Sequence, residues 1–392
     1  MNFGWTKEDN AFRQEVIEFI RKELPPDWGQ QAEAEEGGRD EFEKEFAKKL
    51  GSKGWLTPSW PVEYGGKGWN IIQQMIFNEE LAKHKAPLSM VNAGVNLAGP
   101  TLISHGTEDQ KKRYLPGIAS GEVIWCQLFS EPNAGSDLPS LQTKAEAKGD
   151  YYLLNGQKTW TTQGHHAQYG ILLARTDPEA PKHKGISYFL LDLSLPGVSR
   201  RPIINMADVH HFNEFFFDNV ELPRDALVGE ENRGWYVGAT TLNFERSGLR
   251  ASVPALQLME ELLEFAQNGI GGYRPFEQNP ELRHKVADMT IQLHIGRLLA
   301  YRTGWLQASG QNPSYESSMG RIFGAETTQR LTQLGMELLG LWSQPTHNST
   351  TNVLRGKVQK LYRGQRAITI GAGTSEIQRN TIAMRGLGLP RG

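Results

Sequence analysis

The chain has 392 residues, 42 Lys and Arg against 44 Asp and Glu, and a net charge of -2 at neutral pH with a pI near 6.6. Mixed signs near neutrality leave no basic field for nucleic acid and no polybasic membrane patch, and no uninterrupted apolar run reaches the length of a bilayer span. The single Cys126 excludes an internal disulfide and a cysteine-based metal centre and fits a reducing cytoplasm.

The length calls for two or three domains. The first ten residues carry Lys7, Glu8 and Asp9 with no apolar segment behind them, so no targeting leader is expected. The first third reads helical. Phe12, Val16, Phe19/Ile20 and Leu24 recur at helical spacing, as do Phe42, Phe46 and Leu50, each stripe backed by charged residues. Pro25-Pro26 and the glycines Gly51 and Gly54 predict their ends. A glycine-rich loop, Trp60-Pro61 to Tyr64-Gly65-Gly66-Lys67-Gly68, precedes a helix expected over Ile71 to Lys83. Thr107-Glu108-Asp109-Gln110 has capping-box spacing, and Pro116-Gly117 is expected to stop the helix that it opens.

From about Val123 the period becomes that of strands. Tyr151 to Leu154, Asn155-Gly156 and Gln157 to Trp160 predict a hairpin, because Asn-Gly favours the positive φ angles of a type I′ turn. Short β-rich runs follow at Ile171 to Ala174, Ile186 to Leu193 and Glu214 to Val220. After Gly234 helical spacing returns through Leu258-Met259, Leu262-Leu263, Ile291 to Leu306, Gly320 to Leu341 and a last stretch from Val353. Pro254 is expected to bend the first of these helices. The fold class is α+β: an N-terminal helical domain over 1–122, a middle antiparallel, barrel-like β domain over 123–234 and a C-terminal four-helix-type bundle over 235–392.

The sequence holds no P-loop, no Gly-x-Gly-x-x-Gly behind a strand, no His-Glu-x-x-His and no Gly-x-Ser-x-Gly. His165-His166 and His210-His211 have no third ligand near them in sequence, which favours surface or strand histidines over a metal site. Near the C-terminus Gly371-Ala372-Gly373-Thr374-Ser375-Glu376 leads into Ile377-Gln378-Arg379. Ser375 and Gln378 have capping-box spacing, predicting a helix start whose N–H groups point back at the glycines and attract an anion or a carbonyl oxygen. By itself the stretch is equally an ordinary loop feeding a terminal helix.

Three stretches together resemble the acyl-CoA dehydrogenase family, and the resemblance covers essentially the whole chain. Ser130-Glu131-Pro132-Asn133-Ala134-Gly135-Ser136-Asp137 is similar to the family's flavin-contacting loop, and Lys158-Thr159-Trp160-Thr161-Thr162 to the strand over the outer flavin face. The third is the C-terminal turn, which resembles the family's flavin- and substrate-binding turn. The resemblance implies bound FAD, with Phe129 and Ser130 along the pyrimidine edge, Trp160 near the ring, Thr161 beside it and Thr162 bonded to N5. It also implies Thr374 and Glu376 at the flavin and Ser136 near the CoA phosphates. Arg274-Pro275-Phe276 resembles the Arg and Phe that a neighbouring subunit lends to the FAD pyrophosphate, ahead of a shortened segment. Glu337-Leu338-Leu339-Gly340-Leu341-Trp342 stands at the family's adenosine segment without its paired glycines or its glutamine. Gly106 to Gln110 with Tyr114-Leu115-Pro116 is also family-like and reads as structural.

In the family an aromatic residue and the catalytic glutamate usually precede this Gly-Thr-Ser; here Gly371 and Ala372 occupy those places. Members resembling isovaleryl-CoA dehydrogenase carry the base on an earlier helix and share the Gly-Ala-Gly-Thr-Ser-Glu turn. The resemblance then implies Glu245, in Leu242-Asn243-Phe244-Glu245-Arg246, as the base, with Asn243, Arg246 and Gly371 at the substrate. Alone, a Glu-Arg pair on a helix is a solvated face. Ala372 keeps an N–H, and in the family the N–H at this place is one of two donors to the thioester oxygen. Burial against flavin and acyl chain would raise the Glu245 carboxyl toward a useful base.

What the resemblance implies is an FAD-dependent acyl-CoA dehydrogenase that forms a trans-2-enoyl-CoA and passes electrons to electron-transfer flavoprotein. It implies a homotetramer, or a heterotetramer with a homologous chain. The small residues Gly371 and Ala372 leave room for a branched or cyclic acyl chain. A flavin monooxygenase or oxidase on the same fold, and a non-catalytic subunit of a mixed tetramer, stand as alternatives.

Overall fold

The structure, a computed structural model, describes residues 4–26, 28, 39–245, 252–311, 313–346, 349 and 353–390, with the backbone alone at 243–245 and 252. It has an N-terminal helical section, a middle sheet and a C-terminal helical section, and its contacts divide the chain into two compact units. One comprises segments 1–36, 70–86 and 246–392, the other 37–69 and 87–245.

Helix α1 (Lys7–Glu23) starts at a capping box between Thr6 and Asp9, buries Val16, Phe19 and Ile20, and ends before Pro25-Pro26 as predicted. Next come α2 (Arg39–Ser52), which buries Phe46 and Leu50, and α3 (Ile71–Lys83), which has the predicted bounds and a capping box from Asn70 and Gln73. A π-helical stretch (Gly94–Ala98) runs into α4 (Gly99–His105). The predicted Thr107–Gln110 box opens α5 (Glu108–Ser120), but Pro116 does not stop it. One lost backbone bond is outweighed there by the buried Leu115, Ile118 and Ala119, and the helix ends at Gly121 with φ 78.

The sheet contains β1 (Trp125–Leu128), β2 (Lys144–Lys148), β3 (Tyr151–Thr162), β4 (Tyr169–Arg175), β5 (Ile186–Asp192), β6 (Val198–Ile204), β7 (His210–Pro223) and β8 (Leu227–Val228). Its order is β6-β7-β3-β2-β4-β5-β8, with β1 beside β4. It is not wholly antiparallel: β1 pairs with β4 in parallel, and β2 touches β4 in parallel at Lys144 and Arg175. The expected hairpin at Asn155-Gly156 is absent, because β3 runs straight through it. Pairing with β2 on one side and β7 on the other outweighs the local turn preference. The turn lies earlier, at Gly149 (φ 65) between β2 and β3. Gly156 instead marks a register slip against β7, where a Cβ would come within 2.6 Å of the Thr143 hydroxyl oxygen.

Helix α6 (Gly234–Glu245) adds Val237 to the buried cluster of Ile171, Leu173, Tyr188 and Leu190. Its Thr241 and Thr240 hydroxyls bond to Thr101 (2.8 Å) and His105 (3.1 Å) of α4. Then follow α7 (Ser252–Asn268), α8 (Glu281–Ala308), α9 (Ser314–Leu339), α10 (Lys357–Gly364) and α11 (Ser375–Thr381). Pro254 falls in the first turn of α7, where the missing N–H had no intrahelical acceptor, so the expected bend does not arise there. Leu262, Leu331, Leu338 and Val358 form the centre of the bundle core. Buried charge ties α1, α3 and α8 together: Glu79 accepts from Arg13 (3.0 Å), Tyr301 (3.0 Å) and Arg297.

The sheet unit is packed most tightly where α4 begins. Trp60 is 2% exposed and donates to the Val95 carbonyl at 3.2 Å. A Cβ on Gly99 would lie 1.9 Å from its indole. Helix propensity alone favours Ala over Gly by about 1 kcal/mol, but the indole has no free space to move into. Gly99→Ala is therefore expected to destabilise the protein by about 1–3 kcal/mol, and calorimetry showing a Tm equal to or above wild type would contradict this packing.

Candidate active site

In the sheet unit, the loop after β1 is fastened to the end of β3 by buried charge. Lys158 is wholly buried and donates from Nζ to the Phe129 carbonyl (2.9 Å) and Glu131 Oε1 (2.8 Å). Glu131 also accepts from the amides of Gln142 (2.6 Å) and Thr143 (2.9 Å). Burial alone would push its carboxyl up; the Lys158 ammonium and these donors outweigh burial and hold it below the usual 4.5. The Thr159 amide donates to the Ser130 carbonyl at 2.9 Å, so the loop runs beside the strand end. Arg175 secures the far side of the loop through the Pro139 (2.6 Å) and Lys182 (2.9 Å) carbonyls, and Lys182 reaches Asp137 at 2.9 Å. Ser136 is exposed between these anchors.

The register of β3 against β7 slips between Lys158 and Thr161, and Trp160 sits in the left-handed region with φ 60. For a bulky residue that conformation is a genuine outlier, held here by the bulge and by the pinned neighbours on each side. Thr159 and Thr161 consequently face inward, while Trp160 is 59% exposed and Thr162 is exposed on the same side. The Trp160 ring meets Phe212 edge-on at 5.7 Å. Phe129 turns its ring into the core against Tyr188, so only its backbone is left to offer a ligand. The Thr161 hydroxyl is buried with no hydrogen-bond partner among the described residues. An exposed indole two residues from the exposed Thr162, on a strand end bonded to the Ser130 carbonyl, suits a flat heteroaromatic ring with one polar edge, and a flavin has that form.

In the helical unit, the C-terminal turn is held from behind. Thr374, not Ser375, caps α11, its hydroxyl accepting from the Ile377 amide at 3.2 Å; Ser375 is the first helical residue and is buried. Gln378 therefore does not complete a capping box. Its Nε2 donates to the Ala372 and Gly373 carbonyls, both at 3.2 Å. Arg321 of α9 donates to the Ile368 and Gly371 carbonyls, both at 2.9 Å, and Gln329 holds Gln365 (3.2 Å), Arg366 (3.3 Å) and Thr369 (3.0 Å). Ala372 has φ 55 and Gly373 φ 88. Among the described residues neither of their amides finds an acceptor. Around Gly371 the nearest atom to an added Cβ is 3.8 Å away. Glu376 is exposed, and its own amide and the Thr374 hydroxyl hold its carboxylate below the usual range.

Arg274 precedes a short helical turn, Pro275–Gln278, and donates to the Tyr273 carbonyl at 3.2 Å; Phe276 packs against the bundle core. In the adenosine-like segment, the Leu338 carbonyl accepts from Tyr273 at 3.1 Å. Asn243 and Glu245 lie in the last turn of α6, with their side chains outside the described residues, and Arg246 lies outside the described residues altogether. The histidines are clustered: the His165 ring is 3.9 Å from His166 and 4.0 Å from His210. Burial pushes His165 down to about 4. Among the described residues no group of three or more His, Cys, Asp or Glu is placed to hold a metal.

Sequence reasoning missed the Lys158–Glu131 pairing, although both residues stand in motifs it singled out. It also missed Arg321, whose position on a helix carried no motif.

These features define a class, a flavoprotein oxidoreductase built helix–sheet–helix without a Rossmann fingerprint. The family models of the acyl-CoA dehydrogenase N-terminal, middle and C-terminal domains match residues 6–122, 126–220 and 232–387. The chain belongs to the acyl-CoA dehydrogenase family, FAD-dependent flavoproteins that dehydrogenate acyl-CoA thioesters. It is 37% identical over 342 residues to the acyl-CoA dehydrogenase FadE34 of Mycobacterium tuberculosis, covering 87% of this chain but 46% of that protein, so the chain spans about half of that relative. Among solved structures it is similar to the Tcur3481-Tcur3483 steroid ACAD (32% identity, TM-score 0.89) and to the ChsE4-ChsE5 complex from Mycobacterium tuberculosis (33%, TM-score 0.89), each covering 100% of both chains.

The Glu131 carboxyl is lower in the folded chain than in the unfolded one, so the stability it contributes is present above pH 4.5 and is lost as pH falls through the folded value. Glu131→Gln leaves the Lys158 ammonium buried without its counter-charge, an expected cost of about 3–5 kcal/mol. That variant should also retain less flavin, and its stability should respond less to acid below pH 4.5. Urea denaturation across pH checks both; an unchanged midpoint at pH 7 would show that the pair does not hold the loop.

Proposed function

We propose that the chain oxidises an acyl-CoA with a branched or ring-bearing acyl group to the trans-2-enoyl-CoA, with Glu245 as the α-proton base and the Ala372 N–H as a donor to the thioester oxygen. The observation that carries this reading is the C-terminal turn: it has no carboxylate at Ala372, yet the Ala372 amide is left without an acceptor among the described residues. A backbone donor survives loss of the side chain, and the base is then drawn from Glu245. Bound FAD supplies the two-electron acceptor at the β-carbon. Phe129, Ser130, Trp160, Thr161, Thr162, Thr374, Glu376, Arg274 and Phe276 are assigned to holding it, and Ser136, Asn243, Arg246 and Gly371 to the acyl-CoA. A bulky acyl group is supported by the free space around Gly371 and by likeness to a steroid ACAD.

Electrons are proposed to leave to electron-transfer flavoprotein, in the cytoplasm. Cys126, a lone buried free thiol, fits that location. Segments 1–122, 123–234 and 235–392 are taken as the three family domains. The working form is a tetramer with a homologous second chain. Ile291, Ile295, Leu298 and Trp305 form an exposed apolar stripe at helical spacing along α8, an arrangement that calls for a partner. One similar structure is the ChsE4-ChsE5 complex, the similar steroid ACAD also carries two chain names, and one relative has room for a second module of this size. A second reading, a non-catalytic chain of such a complex, is favoured by the adenosine-like segment Glu337 to Trp342, which lacks the family's paired glycines and glutamine.

With the best substrate of a panel of straight, branched and cyclic acyl-CoAs, Glu245→Gln is expected to keep flavin and ligand binding while flavin reduction slows by roughly 10² to 10⁴. Reduction within about tenfold of wild type, about 1.4 kcal/mol, removes Glu245 as the base and favours the second reading. Light scattering on the holoprotein, alone and co-expressed with a homologous chain, is expected to give a tetramer in at least the second case; monomers in both would overturn the assembly.

A further inference from the structure

Arg321 Nη2 donates to two carbonyls, Ile368 and Gly371, both at 2.9 Å. The Gly371 carbonyl belongs to the same peptide group as the Ala372 N–H. In a trans peptide these two bonds point in opposite directions. The guanidinium therefore sits at one end of this dipole, and the Ala372 N–H points away from the other. Of the neighbouring groups, the Gly371 N–H donates to the Ala367 carbonyl at 3.0 Å, and Gln378 takes the Ala372 and Gly373 carbonyls. The Ala372 and Gly373 amides are left without an acceptor among the described residues, and of the two only the Ala372 amide belongs to a peptide whose oxygen is held by a cation.

Hydrogen bonds with a charged partner are roughly twice as strong as neutral ones, and bonds linked through a peptide polarise one another. Electron density drawn toward the Gly371 oxygen leaves the Ala372 N–H more positive and a better donor. An enolate oxygen gains more from such a donor than a neutral thioester carbonyl does, so the effect falls on the proton-removal step more than on binding. We propose that Arg321 is a positioning residue for the reaction: it orients and polarises the Gly371–Ala372 peptide so that Ala372 N–H stabilises the thioester oxygen as the α-proton leaves. In that step the α C–H bond breaks, the proton passes to the base and the electron pair is delocalised onto the thioester oxygen. The inference rests on the reading of Ala372 given under Proposed function.

The test uses oxidised holoenzyme and the 3-ketoacyl-CoA analogue of the best substrate, whose acidic α-proton can be titrated in the bound state by absorbance. Wild-type enzyme is expected to make the bound ligand more acidic than it is in solution. Arg321→Met should reverse part of this by at least about half a pH unit, roughly threefold in the enolate-to-acid ratio, and lower kcat while leaving KM nearly unchanged. Arg321→Lys, which keeps the cation and loses the fork, should fall between them. If Arg321→Met loses its flavin, the same comparison of wild type with Arg321→Lys decides the matter. A variant that binds flavin and ligand with unshifted ligand acidity overturns the role of Arg321 and leaves that of Ala372 standing. Wild-type enzyme that leaves the ligand as acidic as in solution overturns the Ala372 reading itself.

Discussion

The Lys158–Glu131 pair is the constraint on which the loop and strand end proposed to face the flavin depend. Enclosing an ammonium costs several kcal/mol unless its charge and hydrogens are met, and here a carboxylate and a carbonyl meet them. Because the partners come from the loop and the strand, that requirement fixes the loop to the strand. Glu131 extends the fixation through two further amides to the start of β2. Loop 129–137 would otherwise be a glycine- and asparagine-containing surface segment with little apolar area to order it.

The pinning also accounts for the strained residue beside it. Trp160 has φ 60 and an exposed ring, neither of which a tryptophan in an ordinary strand would adopt. Lys158 is held by the buried pair, Thr159 by the Ser130 carbonyl, and Thr161 by pairing with Asn213. The one slipped residue between fixed neighbours has to be thrown outward. A conformation costing of order 1–3 kcal/mol persists only where its surroundings over-determine it, and here they hold an apolar ring on an open face.

Much of this was legible in the sequence where local rules and tertiary packing agree. The bounds of α3, the Thr107–Gln110 box and the helix–sheet–helix order followed from periodicity and capping. The failures have a common physical cause. Asn155-Gly156 prefers a turn, but β2 supplies a ladder partner for Asn155 and β7 one for Gly156. Pro116 prefers to end a helix, but the buried side chains after it keep the helix going. The Lys158–Glu131 pair and the Arg321 clamp join residues 27 and 50 positions apart, a separation that no periodicity reports. The motifs showed the family in the sequence, while the charged contacts that hold those motifs in place were invisible until the fold was known.

In the proposed reading, the C-terminal turn keeps a backbone donor although its side chains supply no carboxylate at Ala372. A side-chain function disappears with the side chain, whereas an amide donor depends only on the backbone path. That path is set here by Arg321 and Gln378 acting on carbonyls of the turn and by Gln329 acting on the Gln365 and Arg366 carbonyls before it. Ala372 contributes only a Cβ in the left-handed region, which the clamps hold against its steric preference. Replacing a large residue at positions 371 and 372 by Gly and Ala therefore alters the volume beside the turn while the direction of its N–H groups is retained. Under the proposed roles, room for substrate and stabilisation of charge are separately variable, and a sequence can change the first without giving up the second.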